Sequence, residues 1–552
     1  MANKPMEDRK NLKEIIRKSE FDLLIIGGGI TGAGIALDAS SRGLKTVLVE
    51  KGDFSSGTSS KSTKLIHGGL RYLKQFEIAL VREVGHERTV VHQLASHLVT
   101  SEKMLLPLTE DGTFGKLTTS VGLMVYDILA GVESADQRVM LSKEETLEKE
   151  PLLNANDIIG SGLYAEYRTD DSRLTIEAIK TALKFGAVCI NYVRAVDFIY
   201  NNNKVSGAHC QDSITGEEFV ITAKKIISAA GPWVDELRDK DGSLKGKKLH
   251  LTKGVHIVFD RKKFPLQQAI YFDVADGRMI FAIPRGKTTY VGTTDTDYSG
   301  NKDKILTERA DAQYLVDAVN SMFNSLNLTI NDISSSWAGV RPLIHEEGKS
   351  LSELSRKDEI FTSESNLLSM AGGKLTGYRK MSERIVDLVM EQLSDEENRE
   401  WVKSRTKEIL LEGGPFPGEY EVLVYRKDVI ERLKKYEFDD YFGRNLVATY
   451  GRQADQIIKI FEQNYQKEGD NERLFLLAEL DFCVQNEMVV TALDFIVRRS
   501  GRLYFDIENT RNYALDIVNH LSKTFNWTQE RQKEEMVGVE NAVYEASDFF
   551  KN

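Results

Sequence analysis

The stretch FDLLIIGGGITG, Phe21 to Gly32, restricts the fold more than any other part of the chain. The nearly all-apolar run Phe21 to Ile26 reads as a parallel strand covered on both faces. A glycine turn follows at once. Gly27 permits the tight turn, Gly29 lets the backbone approach a pyrophosphate, and Gly32 lets the next helix pack closely on the strand. That helix, continued by Ala33 to Ser41, aims free N–H groups and a favourable dipole at the phosphates. Gly43 suits a left-handed carboxyl cap, and Lys45 to Glu50 is the second strand. Glu50 stands 18 residues past Gly32, where a carboxylate can accept hydrogen bonds from ribose hydroxyls. Strand, turn, helix and acid together predict a dinucleotide site, without separating FAD from NAD.

Length then asks for more than this unit. At 552 residues with 41% apolar side chains, two or three domains are expected. A net charge of -11 argues against a nucleic-acid partner, whose phosphates need a basic surface. Three scattered cysteines, Cys189, Cys210 and Cys483, suit a reducing compartment and read as buried small hydrophobes. The charged amino end, MANKPMEDRKNLKEIIRKSE, lacks the apolar core of a secretory signal and predicts a short helix in a cytoplasmic protein. No apolar run reaches the roughly 20 residues of a membrane-spanning helix, so membrane contact is expected to be peripheral.

After the second strand, GDFSSGTSSKSTKLIHGGLRYL reads as a hydroxyl-rich loop able to line a phosphate or ring pocket. Within it, His67-Gly68-Gly69 lets backbone and imidazole come close to a flat ligand. Val188 to Val196 and Lys204 to Gln211 read as strands flanking the turn NNNK, and Thr222 to Gly231 as an apolar strand ending in small residues. Lys245 to Asp297 carries several short strands, with His256 inside the first. In WAGVRP, Arg341 precedes proline, which predicts an extended residue at the end of its element and a guanidinium that can fork onto phosphate. AGGKLT, Ala371 to Thr376, is a second glycine turn leading into a helix. From about Ser394 the pattern is helical, and Leu446, Val447, Tyr450, Ala454, Ile457, Ile458 and Phe461 form a stripe that reads as core. Arg498 and Arg499, beside Ser500-Gly501, offer a contact with anionic lipid or a neighbouring chain.

The run from Gly27 to Leu73, with KKIISAAGPWVDEL, KGVHIVF, WAGVRPL, SMAGGKLTGYRKM and VVTALDFIVRRSGRLYF, resembles the FAD-dependent respiratory glycerol-3-phosphate dehydrogenases, in order and over nearly the whole chain. The resemblance implies an α/β fold: a glutathione-reductase-type FAD-binding Rossmann domain, a β-sheet substrate domain and an α-helical C-terminal domain. The boundaries expected are 1–20 for the leading helix, 21–100, 150–235 and 336–393 for the FAD domain, 101–149 and 236–335 for the substrate domain, and 394–552 for the helical domain. Along FAD it implies contacts from Gly27, Gly29, Ile30, Thr31 and Gly32, then Glu50 and Lys51, then Thr58, Ser59, Ser60, Ser62, Lys64, Leu65, His67, Gly68 and Gly69. Val196, Ala230 and Gly231 follow, and Gly373, Lys374, Leu375 and Thr376 close the site.

Oxidising a secondary alcohol requires a hydride acceptor, a base and positive groups for the phosphate. By resemblance the reaction converts sn-glycerol 3-phosphate to dihydroxyacetone phosphate, with electrons passed to a membrane quinone and no metal. Arg71, Arg341 and Lys374 form the implied cationic cradle, with Tyr72 and Thr376 as hydrogen-bond partners and His67 and His256 as equal candidates for the base. The implied location is the inner face of the cell membrane, against anionic lipid; a homodimer stays open. Three other readings remain: an oxidase reducing oxygen to peroxide, whose extra mid-chain insertion this chain is too short to hold; an amino-acid oxidase with a carboxylate clamp; and a flavin-bound sensor without turnover.

Overall fold

The computed structural model describes residues 5–67, 78–110, 137–346 and 357–549. Its frame is two sheets that meet along the loop after the second strand. The first sheet runs Glu359–Thr362, Leu368–Ala371, Glu218–Ser228, Glu20–Ile26, Thr46–Val49, Val188–Ile190, parallel through its centre. Glu20–Ile26 lies between two parallel neighbours and is buried from Phe21 onward, as its apolar run requires. The helix Ile30–Ser41 packs on this sheet, and the left-handed Gly43 ends the turn behind it. A Cβ at Gly32 would collide with the Gly27 carbonyl, so glycine is needed there for helix and strand to approach. On its other side the helix meets Tyr378–Glu397, the helix following the second glycine turn: a Cβ at Gly34 would strike Ser382 and Tyr378.

The segment read as one strand from Val188 to Val196 is two. Tyr192 takes φ +56 and donates its N–H to Gly52 O at 2.7 Å. That turn separates the parallel strand Val188–Ile190 from Val193–Asn201, which forms a hairpin with Lys204–Asp212 beside Glu218–Ser228.

The second sheet is built around the long strand Lys247–Asp260, paired antiparallel with Ile333–Glu346 and Thr288–Gly292. It continues through Met279–Arg285, Ala269–Asp273, Thr100–Thr109 and Ile158–Arg168 to Leu65–Ile66. Ile158–Arg168 and Ile333–Glu346 thus join this sheet, although sequence boundaries placed the first, and most of the second, with the FAD domain. Nor does Pro342 end its element. Ile333–Glu346 runs on past it, because among the described residues it pairs on one side only, and an edge strand tolerates a missing N–H.

The carboxyl-terminal part is helical, from Glu419–Lys434 to Gln529–Ser547, and the predicted stripe Leu446 to Phe461 lies in its core. Arg498 and Arg499 overturn their expected outward role. They turn inward to Asp53 of the hydroxyl-rich loop: Arg499 grips both carboxylate oxygens at 2.6 and 2.9 Å, and Arg498 adds a third bond. Burial pushes the Asp53 carboxyl up, but Arg499 and Arg498 outweigh it and hold the group at about 2. Its contribution to stability is complete above the unfolded value of 3.8 and is lost as pH falls through about 2. Replacing Asp53→Asn leaves two buried guanidinium groups short of a counter-charge, and urea unfolding at neutral pH is expected to show a loss of about 3–5 kcal/mol.

Candidate functional site

A cavity of about 530 Å³ opens where the two sheets meet. At one end is the first glycine turn, with Gly27 at φ +119 and the Ile30 N–H donating to Ser59 Oγ at 2.9 Å. Glu50 stands beside it, its carboxylate accepting from Gly28 N at 2.7 Å and Gly52 N at 2.8 Å. Burial pushes this carboxyl above its ordinary value, against the pull of those N–H groups. At the other end is the second glycine turn, where Gly372 and Gly373 take φ +71 and +82 and lead through Lys374 into a short turn and the helix Tyr378–Glu397.

The loop between them is pinned to the second sheet. Thr58 Oγ1 donates to Val340 O at 2.9 Å, Trp337 Nε1 to Ser62 O at 3.2 Å, and Tyr290 Oη to Thr63 O at 3.1 Å. Leu65–Ile66 then pairs with Tyr167 and Arg168, which delivers His67 to the cavity. Thr376 Oγ1 donates to the His67 carbonyl at 3.2 Å, closing the ring of contacts between the two turns.

His256 and Arg341 sit on adjacent antiparallel strands, where His256 pairs with Trp337 and Arg341 with Thr252. The His256 ring stacks on Trp337 at 4.8 Å and 11°, and its Nε2 lies 3.0 Å from Thr63 Oγ1. Burial first, then Arg341 and Lys64, hold its pKa well below the ordinary 6.5, so the ring is neutral near pH 7. Arg341 donates to Thr293 Oγ1 at 2.9 Å and Thr294 O at 3.2 Å, with Asp295 at 3.3 Å. Two glycines make room for this pair. A Cβ at Gly292 would collide with the His256 ring, and one at Gly254 would lie 2.5 Å from Arg341 Nη2.

Gly27, Gly29, Ile30, Thr31, Glu50 and Lys51 line the cavity, as do Thr58, Ser59, Ser62, Leu65 and His67. So do Val196, Ala230, Gly231, His256, Arg341, Gly373, Lys374, Leu375 and Thr376. Three expected residues do not. Gly32 is used in packing against Gly27, Ser60 is buried with its hydroxyl on Gly57 O, and Lys64 is buried on Asp171 at 2.5 Å. Gly68, Gly69, Arg71 and Tyr72 lie outside the described residues. Sequence reasoning missed Thr63, one hydroxyl among many in its loop, and Gly254, whose place two residues before His256 was a usable signal. It also missed Trp233, over whose ring Lys51 Nζ sits at 3.8 Å.

The cavity fits FAD. A turn that excludes side chains, a helix amino end and a buried carboxylate suit the ADP half, and a second N–H-rich turn far along the chain suits the ring. A family model described as "FAD dependent oxidoreductase" matches residues 22–378, and one described as "C-terminal domain of alpha-glycerophosphate oxidase" matches 404–532. The chain is 47% identical over 540 residues to the aerobic glycerol-3-phosphate dehydrogenase of Bacillus subtilis (strain 168), covering 98% of this chain and 97% of that one. The crystal structure of the glycerol-3-phosphate dehydrogenase from Bacillus halodurans complexed with FAD superposes with a TM-score of 0.84 at 41% identity over 99% of both chains. L-alpha-glycerophosphate oxidase from Mycoplasma pneumoniae shares the fold, with a TM-score of 0.55 at 20% identity over 70% of this chain and 97% of that one. With nearly its full length matched at such identity, the chain belongs to the FAD-dependent glycerol-3-phosphate dehydrogenase family.

Proposed function

We propose that this protein oxidises sn-glycerol 3-phosphate to dihydroxyacetone phosphate and passes the electrons to a membrane quinone. The observation that carries the reading is that His256 and Arg341 open into the same cavity as both glycine turns. FAD, when bound there, supplies the acceptor for the hydride from the alcohol carbon.

The chain's own groups do the rest. Arg341, with Lys374 on the facing turn, attracts the doubly negative phosphate, and its bonds to Thr293 and Thr294 hold the guanidinium in one orientation. His256 is the proton acceptor in this reading: it is neutral, stacked and held at Nε2 by Thr63, so it can take the hydroxyl proton without first losing its own. His67, brought to the same cavity on the end of Leu65–Ile66, orients the substrate from the other side. Among the described residues no helix is long and apolar enough to cross a membrane, and the proposed meeting with quinone is peripheral, at the inner membrane face.

Adding glycerol 3-phosphate to the oxygen-free protein is expected to bleach the flavin absorption band. Bleaching by glycine or sarcosine instead would make it an amino-acid oxidase, and no bleaching by any of these would leave a flavin-bound sensor. Fast reoxidation by oxygen with none by a quinone would favour the oxidase.

His256→Gln is expected to lower kcat by about 10²–10⁴-fold, and His67→Gln by less. Because the His256 pKa is held below 6.5, the wild-type acid limb of kcat/KM belongs below pH 6.5 and disappears in His256→Gln; a limb retained in that variant would move the base elsewhere.

In Gly254→Ala the new methyl group displaces the Arg341 guanidinium. Steady-state kinetics should show kcat/KM for glycerol 3-phosphate falling by up to about 10²-fold with the melting temperature little changed.

A further inference from the structure

We propose that the loop 298–307, between Thr296–Asp297 of the second sheet and the helix Arg309–Met322, is a strap that clamps two rims of the cavity beside the first glycine turn and so sets how slowly FAD leaves the protein. In the first sheet Glu20–Ile26 carries that turn and lies between Glu218–Ser228 and Thr46–Val49. The chain leaving each of these neighbours forms a rim. Lys51 follows Thr46–Val49, and Pro232, Trp233 and Glu236 follow Glu218–Ser228. All four line the cavity. The rims touch, because Lys51 Nζ sits 3.8 Å from the centre of the Trp233 ring, a cation on a π face.

The strap comes from the other sheet and grips both rims. Asp303 pairs with Lys51 at 2.6 Å, so the ammonium is held between a carboxylate and the indole. Lys302, the residue before it, pairs with Glu236 and donates to the Pro232 carbonyl at 3.4 Å. Opposite charges at consecutive positions thus reach opposite rims. Lys304 pairs with Glu545 at 2.7 Å, which fastens the strap to the last helix, Gln529–Ser547.

The loop is stiff where it meets the rims. Tyr298 donates its N–H to Leu251 O at 2.9 Å and its hydroxyl to Asn301 O at 2.8 Å. The Asp303 N–H donates to Asn301 Oδ1 at 2.9 Å, and the Lys304 N–H to Asn301 O at 3.2 Å. A turn already shaped in this way loses little freedom when its charges find their partners. Ion pairs as exposed as Lys51–Asp303 and Lys302–Glu236 add little to folding stability. Their effect falls instead on opening: parting the rims breaks both pairs and the Lys51–Trp233 contact together, and an occupant of the cavity is retained until they part. Because the pairs are partly exposed, salt weakens the clamp.

The test follows release of FAD from the diluted holoenzyme, read as flavin remaining with the protein after gel filtration at timed intervals. Asp303→Asn and Lys302→Glu are each expected to speed release about threefold to tenfold. Exchanging the second pair, Lys302→Glu with Glu236→Lys, should recover most of that difference. Raising sodium chloride from about 0.1 M to about 1 M should speed release from the wild type more than from the double variant Asp303→Asn/Lys302→Gln. Wild-type release rates in both single variants would overturn the strap. Faster release that the exchanged pair does not correct, with an unchanged response to salt in the double variant, would mark a general loosening and overturn it as well. Should either single variant fail to fold, the other and its salt response carry the comparison.

Discussion

The site depends on the backbone of residues 58–67 being held against the second sheet. Its polar groups have few partners of their own, and the sheet supplies them: Val340 accepts from Thr58, Trp337 donates to Ser62, Tyr290 donates to Thr63, and Tyr167 and Arg168 pair with Leu65–Ile66. A buried backbone group without a partner costs about as much as a lost hydrogen bond, so these contacts fix the path of the loop. Because Ser59 of that loop accepts from Ile30 N at the first glycine turn and the loop ends at His67, fixing it also fixes how that turn and His67 face each other across the cavity. His256 is drawn into the same arrangement through Thr63.

A buried charge cluster ties the helical domain to this frame. Asp53, three residues past the carboxylate-bearing Glu50 end of the strand, is held by Arg498 and Arg499. Asp494 binds Arg498 and Tyr192, and Asn191 joins Asp53 to Arg9 of the leading helix Pro5–Lys18. Such groups are costly to strip of water and gain it back only when every partner is in place, which favours one docking geometry over near alternatives.

Much of this was legible locally. The strand, turn and helix from Glu20 to Ser41 follow from residues next to one another, and so do the second glycine turn and the apolar stripe from Leu446 to Phe461. Arg341 and His256 were legible through the segments WAGVRPL and KGVHIVF that carry the family resemblance. What escaped depended on distant partners. The resemblance implies Lys64 as a cofactor contact, yet Asp171, more than a hundred residues later, takes it. Arg498 and Arg499 look like surface charge until Asp53 is placed opposite them. Pro342 reads as a stop because nothing in its neighbourhood says that its strand is an edge.

By itself the sequence determined the dinucleotide-binding unit and the succession of sheet and helical regions. Those are properties of short-range order, in which steric limits on glycine and the periodicity of apolar residues act within a turn or a strand. Only the tertiary structure decided which sheet each strand joins, which cations face the cavity and which are neutralised in the interior, and that His256 is neutral. Those outcomes come from burial and from charges brought near by folding, and both depend on residues hundreds of positions away.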